Sequence, residues 1–138
     1  MLEYAPNDSR ALALARAFLP GPLTLVVRRP PFVDAAIVGG LGTLGLRVPN
    51  HELCAALLAQ CGPLAATSAN LSGAPAYSGR DASDPQAASR AHLPEADLFI
   101  DAGPAPLGVA STVVDLSGSD VRLIRAGAIS FEAIERVL

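Results

Sequence analysis

The sequence predicts an α/β or α+β fold built around a mixed β-sheet. Short apolar runs typical of strands alternate with segments of helical periodicity along the chain, which is the pattern of a layered sheet-and-helix domain. Glycine and proline separate these runs and mark the turns. The 138 residues are 51% apolar, enough to bury one core, so we expect residues 1–138 to form a single domain.

The first third of the chain predicts a helix followed by two strands. Ser9 can cap a helix that runs to about Phe18, and Pro20-Gly21-Pro22 ends it because proline lacks an N–H donor. The run 23–27 contains four apolar residues and one threonine and predicts a buried strand. A second strand is predicted over 43–48, after a glycine-rich loop.

The rest of the chain alternates in the same way. Asn50 can cap a helix over 52–60, which Gly62 would end. Residues 74–86 are small and polar and predict a loop. Further strands are predicted over 64–67, 98–101, 112–116 and 121–125, and further helices over 85–91 and from a Ser130 cap to Leu138.

Composition excludes several classes of function. All 10 basic residues are Arg and the net charge is −3, which argues against a general polyanion-binding surface but allows sites for a single phosphate or carboxylate. No apolar run approaches the length of a membrane span, and the first residues do not resemble a signal peptide. We therefore expect a cytoplasmic protein without membrane contact.

The cysteines and histidines do not predict a metal site. Cys54 and Cys61 fit no zinc spacing, and His51 and His92 are the only histidines. We interpret the two thiols as small buried side chains on or near a helix.

Four polar clusters lie at the edges of predicted strands. The first, at 20–25, is a rigid corner that by itself is more typical of structure than of a site. In the second, Thr43 and Arg47 are four residues apart and face the same side of a strand. A hydroxyl beside a guanidinium suits an anionic ligand, because the guanidinium can hold a carboxylate with two donors. An ordinary ion pair at the strand end is the alternative interpretation.

The third and fourth clusters add more hydroxyls and a second arginine. Ser68 and Asn70 can offer donors to phosphate oxygens, with a capped turn as the alternative. Ser111 opens one predicted strand, and Arg125 closes the next, either near a phosphate or as a solvated charge. The sequence holds no convincing Ser/His/Asp set or carboxylate pair, so an enzyme of this kind would act by positioning charged reactants.

Taken together, the clusters resemble the YrdC-like family. Five stretches match that family's motifs in the same order and cover nearly the whole chain. They are Pro-Gly-Pro-Leu-Thr-Leu at 20–25, Leu-Gly-Leu-Arg-Val-Pro-Asn-His at 44–51, Ser-Ala-Asn-Leu-Ser-Gly at 68–73, Ser-Thr-Val-Val-Asp at 111–115 and Arg-Ala-Gly-Ala-Ile at 125–129. A small departure is Ala110, where the family commonly has proline.

The resemblance implies a twisted mixed sheet flanked by helices around a large concave site. It implies an L-threonylcarbamoyladenylate synthase, a nucleotidyltransferase that condenses L-threonine, bicarbonate and ATP and releases pyrophosphate. Mg²⁺ would accompany the nucleotide. The product would pass to a downstream tRNA threonylcarbamoyl transferase, and a contact with tRNA or double-stranded RNA is possible for this fold.

The resemblance also assigns residues to each ligand by motif. The residues assigned to L-threonine are Arg47, Ala66 through its backbone, and Ser111. The residues assigned to ATP are Thr43, Ser68, Ala76 and Arg125, and the catalytic role falls to Ser68 and Asn70.

One departure from the family concerns charge at the phosphates. The family begins with a Lys-x-Arg segment, and this chain contains no Lys. We therefore expect a YrdC-like domain without its N-terminal segment, with little or no synthase activity from these residues alone. Two alternatives share the fold: an RNA-binding or ribosome-associated module, and a carbamoyl-transfer domain of the hydrogenase-maturation type.

Overall fold

The computed structural model describes residues 2–5, 7–67, 96–102 and 107–138. The chain divides into two compact units, Met1–Gly62 with Val109–Leu138, and Pro63–Gly108. The helices and strands of the described residues all belong to the first unit. In chain order they are a 3₁₀ helix at Leu2–Tyr4, α1 at Ser9–Phe18, β1 at Leu23–Arg28, a 3₁₀ helix at Ala35–Val38, β2 at Thr43–Leu46, α2 at Glu52–Cys61, β3 at Thr112–Asp115, β4 at Arg122–Arg125 and α3 at Phe131–Glu135.

The four strands form one mixed sheet in the order β2-β1-β3-β4. The central pair, β1 and β3, is parallel, with Leu23 opposite Thr112. The two outer pairs are antiparallel, and a bulge interrupts the pairing of β3 with β4 between Val113 and Val114. The predicted mixed sheet is therefore confirmed.

Helix α1 begins one residue earlier than the predicted cap implies. Asp8, not Ser9, is the N-cap, and its carboxylate accepts hydrogen bonds from the N–H groups of Arg10 (3.0 Å) and Ala11 (3.2 Å). A carboxylate satisfies two free donors of the first turn and also faces the positive end of the helix. The helix ends at Phe18, because the residue before a proline favours extended backbone.

One face of the sheet packs on α1 and α3 to form the core. Alternate residues of β1 are buried, as expected for a strand with one covered face. The fully buried side chains are Leu14 of α1, Ile134 of α3, Leu23 and Leu25 of β1, and Thr112 and Val114 of β3. Thr112 is satisfied in this apolar setting because its hydroxyl donates to the carbonyl of Ile129 (2.6 Å) and accepts from the Ile129 N–H (3.0 Å).

The structure corrects several predicted element ends. Helix α2 does end at Gly62, whose φ of 76° suits glycine, but its N-cap is His51 and not Asn50, and no side chain caps it. Ser130 caps α3 as predicted, whereas the helix stops at Glu135, three residues before the end of the chain. The 3₁₀ helix at Ala35–Val38, capped by Asp34, was not predicted.

The second unit carries two further corrections. Residues 64–67 and 98–101 were predicted as strands, but they are irregular in the structure and pair with no strand among the described residues. An apolar run becomes a strand only where a partner satisfies its backbone. The predicted loop at 74–86 and helix at 85–91 lie outside the described residues.

The thiols of α2 are less buried than predicted. Cys54 is half-buried and Cys61 is exposed, and both are free. The interpretation of Cys61 as a buried side chain is wrong because α2 contributes no buried residue to the described core. Among the described helices, none is long and apolar enough to cross a bilayer.

Candidate active site

Polar side chains gather at one end of the sheet, on the face opposite the core helices. We call this the amino end, because β1 and β3 begin there. Thr24 lies on β1 between two buried leucines, and Ser111 directly precedes β3. Strands β2 and β4 run the other way, so Arg47, just after β2, and Arg125, the last residue of β4, lie at the same end.

Ser111 is the centre of a hydrogen-bond network at the amino end. Its hydroxyl oxygen accepts from Arg125 Nη2 at 2.9 Å and lies 2.9 Å from Thr24 Oγ1. Arg125 also donates Nε and Nη2 to the Ser111 carbonyl, at 3.1 and 2.9 Å. Since Ser111 is only 6% exposed, these bonds fix both its backbone and its hydroxyl.

Arg47 is anchored to the turn before β1. Its Nε donates to the Gly21 carbonyl at 3.1 Å, and the Gly21 N–H donates to the Val48 carbonyl at 2.8 Å. A Cβ on Gly21 would lie 2.3 Å from the Phe18 carbonyl oxygen, so this turn requires glycine. Arg47 is exposed, and its terminal nitrogens have no hydrogen-bond partner among the described residues.

Gly127 allows Arg125 to reach Ser111. A Cβ at Gly127 would lie 2.4 Å from both the Ala110 carbonyl oxygen and the Thr112 nitrogen. The backbone bond from the Ala128 N–H to the Ala110 carbonyl, 3.1 Å long, holds the two segments together. The close approach of these two segments therefore requires glycine at position 127, because glycine has no Cβ.

The positive charges of the amino end are not neutralised by the described residues. Ion pairs between two described residues involve Arg10 and Arg122, and neither Arg47 nor Arg125 has a carboxylate partner among the described residues. The strands that carry Arg47 and Arg125 are three inter-strand steps apart, roughly 14 Å between backbones. The arrangement presents two guanidinium groups with hydroxyls between them, which suits an elongated ligand with two anionic groups.

Comparison with known proteins identifies the family. The profile of the Sua5_yciO_yrdC family, described as telomere recombination, matches residues 1–127. The chain belongs to this family. A Mycobacterium leprae relative is 42% identical over 138 residues, which cover 99% of this chain and 60% of the relative. Threonylcarbamoyl-AMP synthase of Bacillus subtilis is 36% identical over 137 residues, covering 96% of this chain and 38% of that protein.

Solved structures of the family share the fold. Pyrococcus abyssi Sua5, determined in complex with L-threonine, matches with a TM-score of 0.83 and 36% identity, over 95% of this chain and 37% of that one. Escherichia coli YciO matches with a TM-score of 0.78 and 25% identity, over 97% of this chain and 66% of that one. The predicted family and fold class are confirmed, and the chain spans about 60% of the length of the mycobacterial relatives.

The structure brings together only some of the residues that the sequence assigned to ligands. Arg47, Ser111 and Arg125 lie at the amino end. Thr43 shares their face but is paired with Arg28 at the other end of β2. Ala66 is exposed in an irregular segment of the second unit. The three remaining assigned residues, Ser68, Asn70 and Ala76, lie outside the described residues.

Two residues of this cluster were missed by the sequence analysis. Thr24 was placed in a structural corner, although its position as the polar residue of an apolar strand predicts an exposed face. Gly127 was recognised only as part of a motif, and its close contact with the segment before β3 could not be predicted from spacing.

Proposed function

We propose that this chain supplies the L-threonine and ATP sites of an L-threonylcarbamoyladenylate synthase. The observation that carries the proposal is the cluster of Arg47, Thr24, Ser111 and Arg125, whose guanidinium charges have no carboxylate partner among the described residues. Family membership and the names of the relatives support the same assignment. The L-threonine bound to Pyrococcus abyssi Sua5 further supports an amino-acid ligand.

L-Threonine is proposed to bind at Arg47 and Ser111. The Arg47 terminal nitrogens can hold the carboxylate with two donors, because the Gly21 carbonyl already fixes Nε. Ser111 can use its hydroxyl on the amino acid while Arg125 and Thr24 hold it in place. The family motif also assigns the backbone of Ala66 to L-threonine.

ATP is proposed to bind toward Arg125. Two nitrogens of Arg125 are engaged by neutral oxygens of Ser111, so the group is oriented while its positive charge remains available for phosphate. The family motif adds Thr43, Ser68 and Ala76 as ATP-binding residues. It also gives Ser68 and Asn70 the catalytic role beside the phosphates.

The proposed reaction needs no protein nucleophile. The threonine amine and bicarbonate form a carbamate and release water. A carbamate oxygen then attacks the α-phosphorus of ATP as pyrophosphate leaves, so the reaction is a nucleotidyl transfer. Fixed donors lower the barrier by positioning the anionic groups and by balancing charge on the phosphates.

Mg²⁺ is proposed to arrive with the phosphates of ATP. No three His, Cys, Asp or Glu side chains come together in the part of the chain that the structure describes. These residues do not build a metal site by themselves, and no step above passes through the ion. The downstream tRNA threonylcarbamoyl transferase and an RNA contact stay predictions, and a salt-dependent RNA shift assay tests the latter.

Calorimetry tests the proposed function through binding, which does not require turnover. We expect L-threonine and ATP to bind, and Arg47→Ala to weaken L-threonine binding about 10- to 100-fold through loss of a charge-assisted pair. Arg16→Ala is the matched control, because Arg16 is an exposed arginine of α1. Equal losses in the two variants, or no L-threonine binding by the unaltered chain, would contradict the proposal.

A further inference from the structure

A cavity of about 760 Å³ lies at the carboxyl end of the sheet, where β1 and β3 end. Its wall includes Arg28, Arg29 and the turn 116–119. Strand β1 has six residues, so this cavity is roughly 20 Å from the amino end. Its volume falls within the usual range for small-molecule sites.

Arginine side chains fix the turn that forms one wall. Arg10 donates Nη1 to the Ser119 carbonyl at 2.7 Å and Nη2 to the Leu116 carbonyl at 2.9 Å. Arg28 donates Nε to the Ser117 carbonyl at 2.8 Å. Since three hydrogen bonds hold the turn to β1 and α1, the wall of the cavity is preformed.

The cavity retains positive charge. Arg10 is neutralised by Asp8, at 2.8 Å, which leaves Arg28, Arg29 and Glu3 as its other charged lining residues. Within the described residues, neither Arg28 nor Arg29 forms an ion pair, and the single side-chain hydrogen bond of Arg28 uses Nε. Both terminal nitrogens of Arg28 are therefore free of described acceptors, as a phosphate site requires.

An aromatic pair stands beside these arginines. The rings of Tyr4 and Phe32 are 5.4 Å apart at an angle of 54°, and both residues line the cavity. Phe32 is 66% exposed, so its ring is accessible to a ligand. Such a ring next to a guanidinium is the combination that holds a nucleotide, with the base stacked and the phosphate paired.

We propose that this cavity binds a nucleoside monophosphate, either free or as a unit of single-stranded RNA. The phosphate pairs with the terminal nitrogens of Arg28, and the base stacks on Phe32. This site is separate from the proposed synthase site and does not depend on it.

The test removes the amino-end site first. In an Arg47→Ala/Arg125→Ala background, calorimetry with AMP measures binding at the cavity alone. We expect Arg28→Ala and Phe32→Ala each to weaken AMP binding about tenfold or more, in line with the loss of a charged contact or a stacked base. Arg16→Ala, in the same background, is expected to change it less than twofold. Thermal melting checks that each variant folds, and Phe32→Ala removes a ring that lies mostly outside the core.

Two simpler ligands, inorganic phosphate and adenosine, test the phosphate contact and the stacking contact separately. Arg28→Ala should weaken the binding of inorganic phosphate, and Phe32→Ala should leave it unchanged. For adenosine, Phe32→Ala should weaken binding and Arg28→Ala should leave it unchanged. A short oligoadenylate that binds more tightly than AMP would assign the site to RNA, and equal or weaker binding would assign it to the free nucleotide. Absence of AMP binding in the background variant would overturn the proposal. So would AMP binding that neither cavity substitution weakens, or an equal loss in Arg16→Ala.

Discussion

The ion pairs at the carboxyl end of the sheet and the arginines at its amino end hold guanidinium groups in different ways. At the carboxyl end, Arg10 pairs with Asp8 and Arg122 pairs with Asp115. At the amino end, Arg47 and Arg125 instead bind neutral oxygens of the backbone and of Ser111. A carboxylate partner both orients and neutralises a guanidinium, whereas a carbonyl partner orients it and leaves its charge.

On this difference we distinguish arginines that hold the fold together from those proposed to bind ligands. Paired arginines hold turns and strand ends, and their charge is largely cancelled within the fold. Arginines held by neutral acceptors keep a fixed direction and an attractive field for an anion. The comparison predicts that substitutions of the two amino-end arginines change ligand binding first, and that substitutions at the carboxyl-end ion pairs change stability first.

The largest expected effect is that of Gly127→Ala, which breaks the close contact behind the amino end. The new Cβ would meet backbone atoms at 2.4 Å that no side-chain rotation can move. We expect a loss of about 3 kcal/mol in the free energy of unfolding. Urea denaturation measures it.

Gly42→Ala is the matched control for that substitution. Nothing lies within 4 Å of a Cβ at Gly42. Its stability should stay within about 0.5 kcal/mol of the unaltered chain. Similar losses for the two variants would show that the contact at Gly127 does not matter.

The second prediction concerns the charge of the amino end. Arg125→Ala should weaken ATP binding by about 2 kcal/mol, roughly 30-fold, because a fixed charged donor is lost. Calorimetry with ATP provides the measurement. Arg122→Ala, on the same strand but paired with Asp115, should leave ATP affinity nearly unchanged. An equal loss of ATP affinity in the two variants would show that pairing with a carboxylate does not decide which arginine binds the nucleotide.

A smaller effect is expected from Thr24→Val, which keeps the side-chain shape and removes the hydroxyl. Ser111 would lose its 2.9 Å partner, and L-threonine affinity should fall by about 1 kcal/mol, or five- to tenfold. Thr24→Ser retains the hydroxyl and should restore most of that affinity. If the serine variant binds as weakly as the valine variant, the hydroxyl has no positioning role.

An effect of similar size is expected at Asp115, within the carboxyl-end ion pairs. Ser117, through its hydroxyl and N–H, and then Arg122 lower the pKa of Asp115 from 3.8 to about 2. A lowered pKa stabilises the fold above pH 4, and this contribution is lost as the pH falls from about 4 toward 2. We expect this contribution to the free energy of unfolding to be about 1 kcal/mol, because Arg122 is 72% exposed and solvent screens its ion pair with Asp115.

Thermal melting between pH 2 and pH 6 checks this prediction. Asp115→Asn should lower the melting temperature at pH 6 and should flatten its decline below pH 4, while ATP affinity at neutral pH stays unchanged. If the melting temperature of Asp115→Asn depends on pH in the same way as that of the unaltered chain, Asp115 is not the group whose protonation destabilises the fold.

Much of the fold was predictable because its signals are local. The apolar run that forms β1, the proline-rich turn before it and the glycine that ends α2 each act on their own neighbours. Cap identity was less predictable, since Asp8 and Ser9 are both good caps and only the course of the chain selects between them. The prediction of strands at 64–67 and 98–101 was wrong, because the sequence shows an apolar run but does not show whether another strand pairs with it.

The sequence by itself determined the family and the residue types of the candidate site, because motifs and the alternation of polar and apolar residues along a strand depend only on residues close together in the chain. Only the tertiary structure decided that Thr24 meets Ser111 across 87 residues, and that Arg125 returns to the same hydroxyl. It also decided which arginines face carboxylates and which face carbonyls. The physical reason is that strand order and register, set by packing of the whole sheet, fix the neighbours of each side chain.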